Sequence, residues 1–459
     1  MNRRFSVDGL AYADPLCNSY TTYTKFMKTL ILDGSPPGDR MGERIAAALS
    51  SVFASQGCTV ERIVLRDRKI GNCAGCFQCW LKSPGICSSD DDNREISRKM
   101  IECDLMVNLT PVTFGVYSPE LKRMSDHLIS NISPFFQSID SETHHRQRYD
   151  SYPDLLTIGW LDRPDADSEA IFSHLASRNS INFYAKRSAS VILYQSQGDP
   201  EIATSMKTLV SSLDSIPPPL PTLPVFTTTS DKRRSVRRAV LLVGSPRMGK
   251  SSSSALGGYL FNRLENFGIE TERFLLYQML DDPRKQALML DAIDRADLTV
   301  LAFPLYIDSI PAPVISVMQT IAGHRQSMPT SGRFAAIANC GFIEASQNEN
   351  ALAACARFAR SSGFDWAGSI AIGGGEGLVQ RTPLEKRGGP LIPVKRALDL
   401  VASALAAGDA VPEDARKQLS KPFIPAWLYR IAGSMGWKKQ ARQNGTEKRL
   451  NDKPYQPVA

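Results

Sequence analysis

The sequence lacks the long apolar runs, signals and motifs that mark several classes of protein. No stretch of its 459 residues approaches the roughly 18 apolar residues that a membrane-spanning helix needs. Residues 1–26 have no continuous apolar core of the kind that secretory signals carry. Only five histidines occur, none at metal-binding spacing, and no serine lies in a nucleophile elbow. These absences predict a cytoplasmic protein without a membrane span that uses neither a histidine metal site nor a serine triad.

Basic residues are in excess, but they lack the pattern of a nucleic-acid-binding surface. The formal net charge is +7, and basic runs lie at 232–238 and 438–449. Aromatic side chains do not interleave with either run, so we interpret both as solvated segments. The sequence therefore predicts no nucleic-acid partner.

One pattern occurs twice along the chain. An apolar run ending in Gly-Ser-Pro occupies residues 28–36 and again 238–246, each time followed by a helical pattern. A second apolar run ends at Pro111 in the first copy and at Pro304 in the second, with aromatic residues beyond it. Such internal repetition predicts two related units.

The order of elements within each copy predicts the fold class. Five strand patterns alternate with helix-length segments, which is typical of a parallel sheet covered by helices on both faces. The expected fold is α/β, with two doubly wound five-stranded parallel sheets in tandem. The expected segments are an N-terminal extension (1–27), a first unit (28–212), a proline-rich basic linker (213–238), a second unit (239–410) and a C-terminal tail (411–459).

The tail contains an apolar and aromatic stretch at 421–437. We expect it to form a short helix packed on the second unit. Binding to a membrane surface is the alternative interpretation.

The Gly-Ser-Pro turns are candidate phosphate sites. A turn between a strand and a helix offers unpaired backbone N–H groups and the positive end of the helix dipole. The glycine and lysine spacing excludes a Walker A loop. An ordinary serine-capped turn is the alternative. The candidate groups are Ser35, Arg40 and Gly42 in the first copy, and Ser245, Arg247, Lys250, Ser251 and Ser252 in the second.

Four cysteines crowd into one segment of the first copy, at Cys73, Cys76, Cys79 and Cys87. The tight spacing lets one loop wrap a metal cluster, and thiolates are the ligands that iron–sulfur clusters take. Four thiolates also suit zinc, and the same residues could serve dithiol redox chemistry or simple packing. The spacing alone leaves these alternatives open.

A loop after the third strand of the first copy completes a resemblance. It reads Pro-Val-Thr-Phe-Gly-Val-Tyr-Ser-Pro-Glu-Leu-Lys from Pro111 to Lys122 and continues to Asp126. Together with Gly-Ser-Pro and the cysteine segment, it resembles the flavodoxin-like family of NAD(P)H-dependent FMN reductases, which includes the iron–sulfur flavoproteins. The second copy resembles the family over 239–405 but has no equivalent of Lys122 or Asp126.

The resemblance implies a set of FMN contacts in each copy. The phosphate would lie on the turn residues named above. The isoalloxazine would contact Pro111, Val112, Thr113, Phe114 and Gly115 in the first copy, or Pro304, Leu305, Tyr306 and Ile307 in the second. The four cysteines would hold a [4Fe–4S] cluster. The glycine run 373–377 could approach the flavin closely, with a flexible surface loop as the alternative.

The resemblance also implies the function. We expect an NAD(P)H-dependent FMN oxidoreductase that passes hydride or electrons through FMN to a quinone, a flavin or another small-molecule or protein acceptor. Two alternatives stay open, an iron–sulfur flavoprotein taking electrons from a protein donor and a degenerate flavodoxin-like module that binds a partner. The two copies would pack as an internal pseudo-dimer, and the chain could form homo-oligomers.

Overall fold

The computed structural model describes residues 27–215, 219–230, 235–328, 331–379 and 383–456. The predicted N-terminal extension up to residue 26 and the basic residues 232–234 lie outside the described residues. No described helix is long and apolar enough to cross a bilayer.

The central strands of the first sheet are apolar runs whose side chains are buried on both faces. Its strands, all parallel, lie in the order β2-β1-β3-β6-β7. Counting only the strands of this sheet, that order is 2-1-3-4-5, which is flavodoxin-like. The strands are β1 (Lys28–Asp33), β2 (Thr59–Val64), β3 (Leu105–Pro111), β6 (Asp154–Leu161) and β7 (Ser188–Tyr194).

Helices cover both faces of this sheet. The first of them buries Ile45, Leu49 and Phe53, which recur every four residues and so share one side of the helix. We call residues 28–212 the N-terminal unit. Its helices are α1 (Arg40–Ser55), α2 (Gln78–Leu81), α3 (Asn93–Glu102), α4 (Pro119–His127), α5 (Ala166–Asn182) and α6 (Asp199–Ser212).

A hairpin interrupts the alternation of strands and helices in the N-terminal unit. The sequence predicts a helix over Pro119–Ile132, but α4 ends at His127 and a short 3₁₀ turn follows. Two antiparallel strands then pair, β4 (Ile132–Ile139) and β5 (Glu142–Gln147). Their turn residues Asp140 and Ser141 both have positive φ, the backbone that a tight hairpin turn needs.

The second sheet repeats the first. Its strands are parallel and lie in the order β12-β11-β10-β8-β9, the same 2-1-3-4-5 order read from the other edge. We call residues 238–406 the C-terminal unit. Its strands are β8 (Arg238–Val243), β9 (Glu270–Leu275), β10 (Leu298–Pro304), β11 (Arg333–Asn339) and β12 (Asp365–Ile372), and its helices are α7 (Ser252–Asn266), α8 (Pro283–Arg295), α9 (Ala312–Ser327), α10 (Glu349–Ser361) and α11 (Ile392–Ala406). The fold is α/β with two flavodoxin-like sheets in tandem.

The tail forms two further helices, α12 (Glu413–Ser420) and α13 (Ala426–Gln443). The second of these contacts both units. Its Tyr429 hydroxyl donates to the carbonyl of Gly341 at 2.6 Å, while its Trp437 ring lies edge-on to Trp80 of the N-terminal unit at 5.1 Å. The sequence predicts that this segment packs on the second unit, whereas the helix also contacts the first.

Equivalent helices of the two units pack against each other, α4 on α9 and α5 on α10. The ring of Phe114 packs edge-on against Phe358 across this contact, with centroids 5.2 Å apart. The Asp126 carboxylate, paired with buried Lys122, accepts a hydrogen bond from the backbone N–H of Ala312 at 3.0 Å. The two sheets therefore share one continuous apolar core between them.

Candidate active site

A cavity of about 760 Å³ opens at the carboxyl edge of the second sheet. Ligands of doubly wound sheets bind at this edge, and the volume falls within the roughly 300–1,000 Å³ of small-molecule and cofactor sites. It is lined by the loops after β10, β11 and β12, by the cysteine loop of the N-terminal unit, and by α13. The site is therefore built from both units and the tail.

The loop after β10 forms the wall nearest to the sheet. Backbone bonds between Tyr306 and Ser309, at 3.0 and 3.1 Å, close a tight turn. Ile307 and Asp308 within it have positive φ, which is strained for residues with side chains. Leu305, Tyr306 and Ile307, predicted to contact the isoalloxazine, all line the cavity.

Groups from the N-terminal unit hold this strained turn. The ammonium of Lys122 donates to the Tyr306 carbonyl at 2.7 Å. The side-chain amides of Asn179 and Asn182 donate to the Asp308 carboxylate at 2.9 and 2.8 Å. The turn keeps its shape because the neighbouring unit satisfies its polar groups.

The N-terminal unit has an equivalent turn, but this turn does not line the cavity. Thr113 and Val116 exchange backbone bonds at 2.8 and 2.9 Å, and Phe114 has positive φ. Gly115 lies against Ile171, too close to admit a Cβ. Pro111, Val112, Thr113, Phe114 and Gly115, the ring contacts predicted for the first copy, do not line the cavity described above.

The phosphate loop of the C-terminal unit leads into α7. Ser251 caps this helix, accepting from the N–H of Ser254 at 3.1 Å. The Ser252 hydroxyl donates to the Gly375 carbonyl at 2.9 Å, which ties the phosphate loop to the glycine run. Lys250 is exposed and Ser245 is buried. The helix start thus carries a cap and a nearby exposed cation.

Arg247 leaves this loop and joins two walls of the cavity. Its guanidinium donates to the Gly75 carbonyl of the cysteine loop at 2.9 Å and pairs with Glu376 at 2.5 Å. It also lies 4.9 Å from the ring centre of Phe77, within cation–π range. In this structure Arg247 spans between units rather than standing free at the turn.

The phosphate loop of the N-terminal unit is filled by its own acidic groups. The Ser35 hydroxyl donates to Asp33, which also pairs with Arg62. The carboxylate of Asp39 caps α1, accepting from the Met41 N–H at 2.8 Å and from the Trp160 indole at 2.9 Å. A carboxylate thus already accepts from a backbone N–H at the start of α1. Two further residues of this loop were predicted to contact the phosphate. Arg40 is exposed, and Gly42 packs so closely on Ser35 that no Cβ would fit.

The glycine run after β12 is packed rather than loose. A Cβ on Gly375 would lie 2.6 Å from the Asn339 side chain, and one on Gly373 would lie 2.1 Å from the Ile343 carbonyl oxygen. Glu376 and Gly377 line the cavity. The glycines therefore permit close backbone approach at the cavity wall, which disfavours the flexible-loop interpretation.

All four clustered cysteines, Cys73, Cys76, Cys79 and Cys87, line the same cavity. Burial raises the pKa of Cys73 to about 12 and that of Cys79 well above its ordinary value. Burial is the largest single effect on Cys87 and raises its pKa, but the contact with His127 Nδ1 at 3.4 Å and hydrogen bonds with Ser89 together outweigh it, so the Cys87 pKa is lowered. Among the described residues, no three metal-ligating side chains stand together in a metal-binding arrangement.

An aromatic wall completes the cavity, and the sequence did not identify it. Phe77 and Trp80 stack at 5.2 Å, and Trp437 lies edge-on to both. His145 of the hairpin tilts against Trp80 at 4.7 Å, and burial lowers its pKa to about 3, so its ring is neutral. The rings come from three distant segments, so only the aromatic composition of the tail hinted at this wall.

Known proteins resemble the N-terminal part of the chain. The family described as NADPH-dependent FMN reductase matches residues 27–139. An iron–sulfur flavoprotein of Methanocaldococcus jannaschii is 34% identical over 100 residues, which cover 22% of this chain and 51% of that protein. One from Archaeoglobus fulgidus is 36% identical over 104 residues, covering 22% and 48%. The chain spans about half the length of these curated relatives.

An FMN-dependent NADH-azoreductase from Bacillus anthracis, determined in complex with FMN, is 16% identical with a TM-score of 0.30 and covers 37% of this chain and 99% of its own. Residues 27–139 carry the first Gly-Ser-Pro turn, the cysteine segment and the loop after β3. Within these residues, the chain is similar to the NADPH-dependent FMN reductase family.

Proposed function

We propose that the chain is an FMN-dependent oxidoreductase whose flavin binds in the C-terminal unit. One observation carries this proposal: Leu305, Tyr306 and Ile307 line a cavity at the carboxyl edge of a flavodoxin-like sheet. The isoalloxazine would contact these residues and Pro304, and the phosphate would bind near Ser245, Lys250, Ser251 and Ser252 at the start of α7. Bound FMN supplies hydride and electron transfer from a nicotinamide to an acceptor.

The protein's own residues have positioning roles in this proposal. Lys122, Asn179 and Asn182 hold the strained turn at Tyr306 in shape. The aromatic wall excludes water and offers flat apolar surfaces, which suit a planar acceptor such as a quinone or a flavin. Arg247 fixes the distance between the phosphate loop and the cysteine loop.

The corresponding site of the N-terminal unit is a poor match for FMN. The Asp39 carboxylate caps α1, and the Ser35 hydroxyl is directed to Asp33. A phosphate brought here would meet two carboxylates and displace a satisfied cap. We therefore propose one tightly bound FMN per chain, in the C-terminal unit. The packing of equivalent helices supports an internal pseudo-dimer.

A second candidate function is supported by the cysteine loop. Four thiol side chains line the same cavity as Tyr306, and the matched relatives are named iron–sulfur flavoproteins. Thiolates are the donors that a [4Fe–4S] cluster takes, so Cys73, Cys76, Cys79 and Cys87 would hold it. Such a cluster would supply one-electron transfer, and the protein would act as an electron carrier.

Anaerobic purification of the full chain, with flavin, iron and zinc measured per chain, tests these proposals. We expect about one FMN, and flavin reduced on addition of NADH or NADPH. Iron with broad, bleachable absorption that Cys76→Ser removes would support the electron carrier. A chain that contains no flavin and takes up none on FMN titration would overturn the proposal and favour a partner-binding module.

A further inference from the structure

The outer face of α13 exposes large apolar side chains. Trp427, Leu428, Ile431 and Met435 are 60%, 41%, 52% and 67% exposed. At 3.6 residues per turn, offsets of one, four and eight residues place all four on one side of the helix. These residues form a continuous apolar stripe over more than two helical turns, and we call it the α13 stripe.

The opposite face of α13 is already used in the fold. Tyr429, Gly433 and Trp437 face the cavity, and a Cβ on Gly433 would lie 2.7 Å from the Phe136 ring. The helix cannot rotate to bury its stripe without losing these contacts. The stripe is therefore held outward by the packing of the inner face.

Basic residues continue the same side of the helix beyond the stripe. Within Ala426–Gln443 there are four basic residues and no acidic one. Of these, Lys438 and Lys439 are exposed, and their positions fall on the stripe's side in the last turns. Arg442 is exposed on the same side but pairs with Glu447 at 2.7 Å, so the two lysines supply the positive charge of this face. A helix face that joins apolar side chains, a tryptophan and a pair of lysines is complementary to an anionic lipid surface.

We propose that the α13 stripe binds the surface of an anionic membrane. Trp427, Leu428, Ile431 and Met435 enter the headgroup and upper acyl region, where tryptophan is favoured. Lys438 and Lys439 contact lipid phosphates, with their aliphatic stems covering apolar surface. The helix lies in the plane of the membrane surface and does not span it.

If the proposed function holds, binding of α13 to a membrane would bring the membrane close to the reaction site. The inner face of α13 lines the cavity, so a membrane on the outer face is separated from it by one helix, about 10 Å across. A lipid-soluble acceptor would then be concentrated next to the proposed reaction site.

Vesicle co-sedimentation of the full chain tests the proposal without any flavin measurement. The vesicles are phosphatidylcholine alone, or phosphatidylcholine with phosphatidylglycerol. We expect binding to the anionic vesicles that weakens in high salt, and much weaker binding to the neutral ones. Absence of binding to anionic vesicles at low salt would overturn the proposal, whatever the flavin content of the protein.

Two variants separate the apolar and the charge contributions. Ile431→Asp with Met435→Asp should abolish binding, and Lys438→Gln with Lys439→Gln should weaken it roughly fivefold for each lysine. Leu288→Asp is the matched control, because Leu288 is 64% exposed on a different helix. Circular dichroism confirms that each variant is folded.

Light scattering after size exclusion tests whether a second copy of this chain, rather than a membrane, covers the α13 stripe. If Ile431→Asp with Met435→Asp converts a dimer to a monomer and the vesicle binding of the parent is absent, the stripe is an interface between copies of this chain. That result, or vesicle binding equally reduced by Leu288→Asp, would overturn the proposal.

Discussion

The guanidinium of Arg247 donates a hydrogen bond to the carbonyl of Gly75 at 2.9 Å. One residue belongs to the phosphate loop of the C-terminal unit and the other to the cysteine loop of the N-terminal unit, 172 positions away. Glu376 of the glycine run accepts from the same guanidinium. A single side chain thus connects three segments around the cavity.

Arg247→Ala should weaken FMN binding by roughly tenfold or more, because it removes charge-assisted hydrogen bonds that hold the phosphate loop against the cysteine loop, and each such bond typically contributes about 1.5–3 kcal/mol. Fluorescence quenching on FMN titration measures this. The matched control is Arg40→Ala, because Arg40 lies in the corresponding loop of the N-terminal unit and is exposed. Equal loss of affinity in both variants would contradict our assignment of the flavin to the C-terminal unit.

Lys122→Met should strongly destabilise the packing of the two units. The pair with Asp126 is buried, and removing one partner of a buried ion pair costs about 3–5 kcal/mol. The lone carboxylate would then take up a proton, because burial already raises the Asp126 pKa against the opposing effect of Lys122. Urea unfolding measures the loss.

The double variant Lys122→Met with Asp126→Leu is the control, since it leaves no buried charge unpaired. It should be more stable than Lys122→Met alone. A single variant as stable as the parent would show that the pair contributes little to the contact between units.

His145 should make the protein less stable in acid. Its pKa is about 3 in the fold, well below the ordinary value of about 6.5, so below pH 6.5 the unfolded chain binds a proton that the native chain does not. This contribution is absent above pH 6.5 and grows as the pH falls toward 3.

His145→Phe keeps a ring in the aromatic wall and removes the group that takes up a proton on unfolding. Relative to pH 7.5, the variant should lose less stability at pH 5 than the parent, by up to about 2 kcal/mol. Denaturant unfolding at the two pH values measures the difference. An identical pH dependence of parent and variant would show that the ring is protonated in the fold.

Gly375→Ala should distort the cavity wall. Its Cβ would lie 2.6 Å from the Asn339 side-chain oxygen, which the backbone or that amide must move to relieve. We expect weaker FMN binding and a lower melting temperature. Gly323→Ala is the matched control, since a Cβ there meets nothing within 4 Å. Unchanged flavin affinity in Gly375→Ala would place the flavin away from the glycine run.

The order of strands and helices along each unit could be predicted from the sequence, because most of the parallel strands are apolar runs bounded by turn residues. The hairpin β4–β5 was missed. Its first residues continue the helical pattern of α4, and the turn at Asp140 and Ser141 carries no glycine to mark it. Local patterns do not record which partner a strand will find.

The candidate site was also predicted only in part from the sequence. Repetition of Gly-Ser-Pro and of the loops ending at Pro111 and Pro304 pointed to two flavin sites of unequal quality. The sequence did not reveal that the cysteine loop faces the loop of the other unit, or that the tail helix closes the cavity. Those contacts join residues far apart in the chain, such as Gly75 and Arg247, which are 172 positions apart.

The sequence by itself determined the two α/β units, the repeated turns and the similarity of residues 27–139 to NADPH-dependent FMN reductases, because each depends on residues close together in the chain. Only the tertiary structure decided which loops share a cavity. It drew Arg247 across to Gly75 and left the α13 stripe exposed. Both outcomes depend on the packing of one unit, or of the tail, against another, and packing between distant parts of the chain has no local signature.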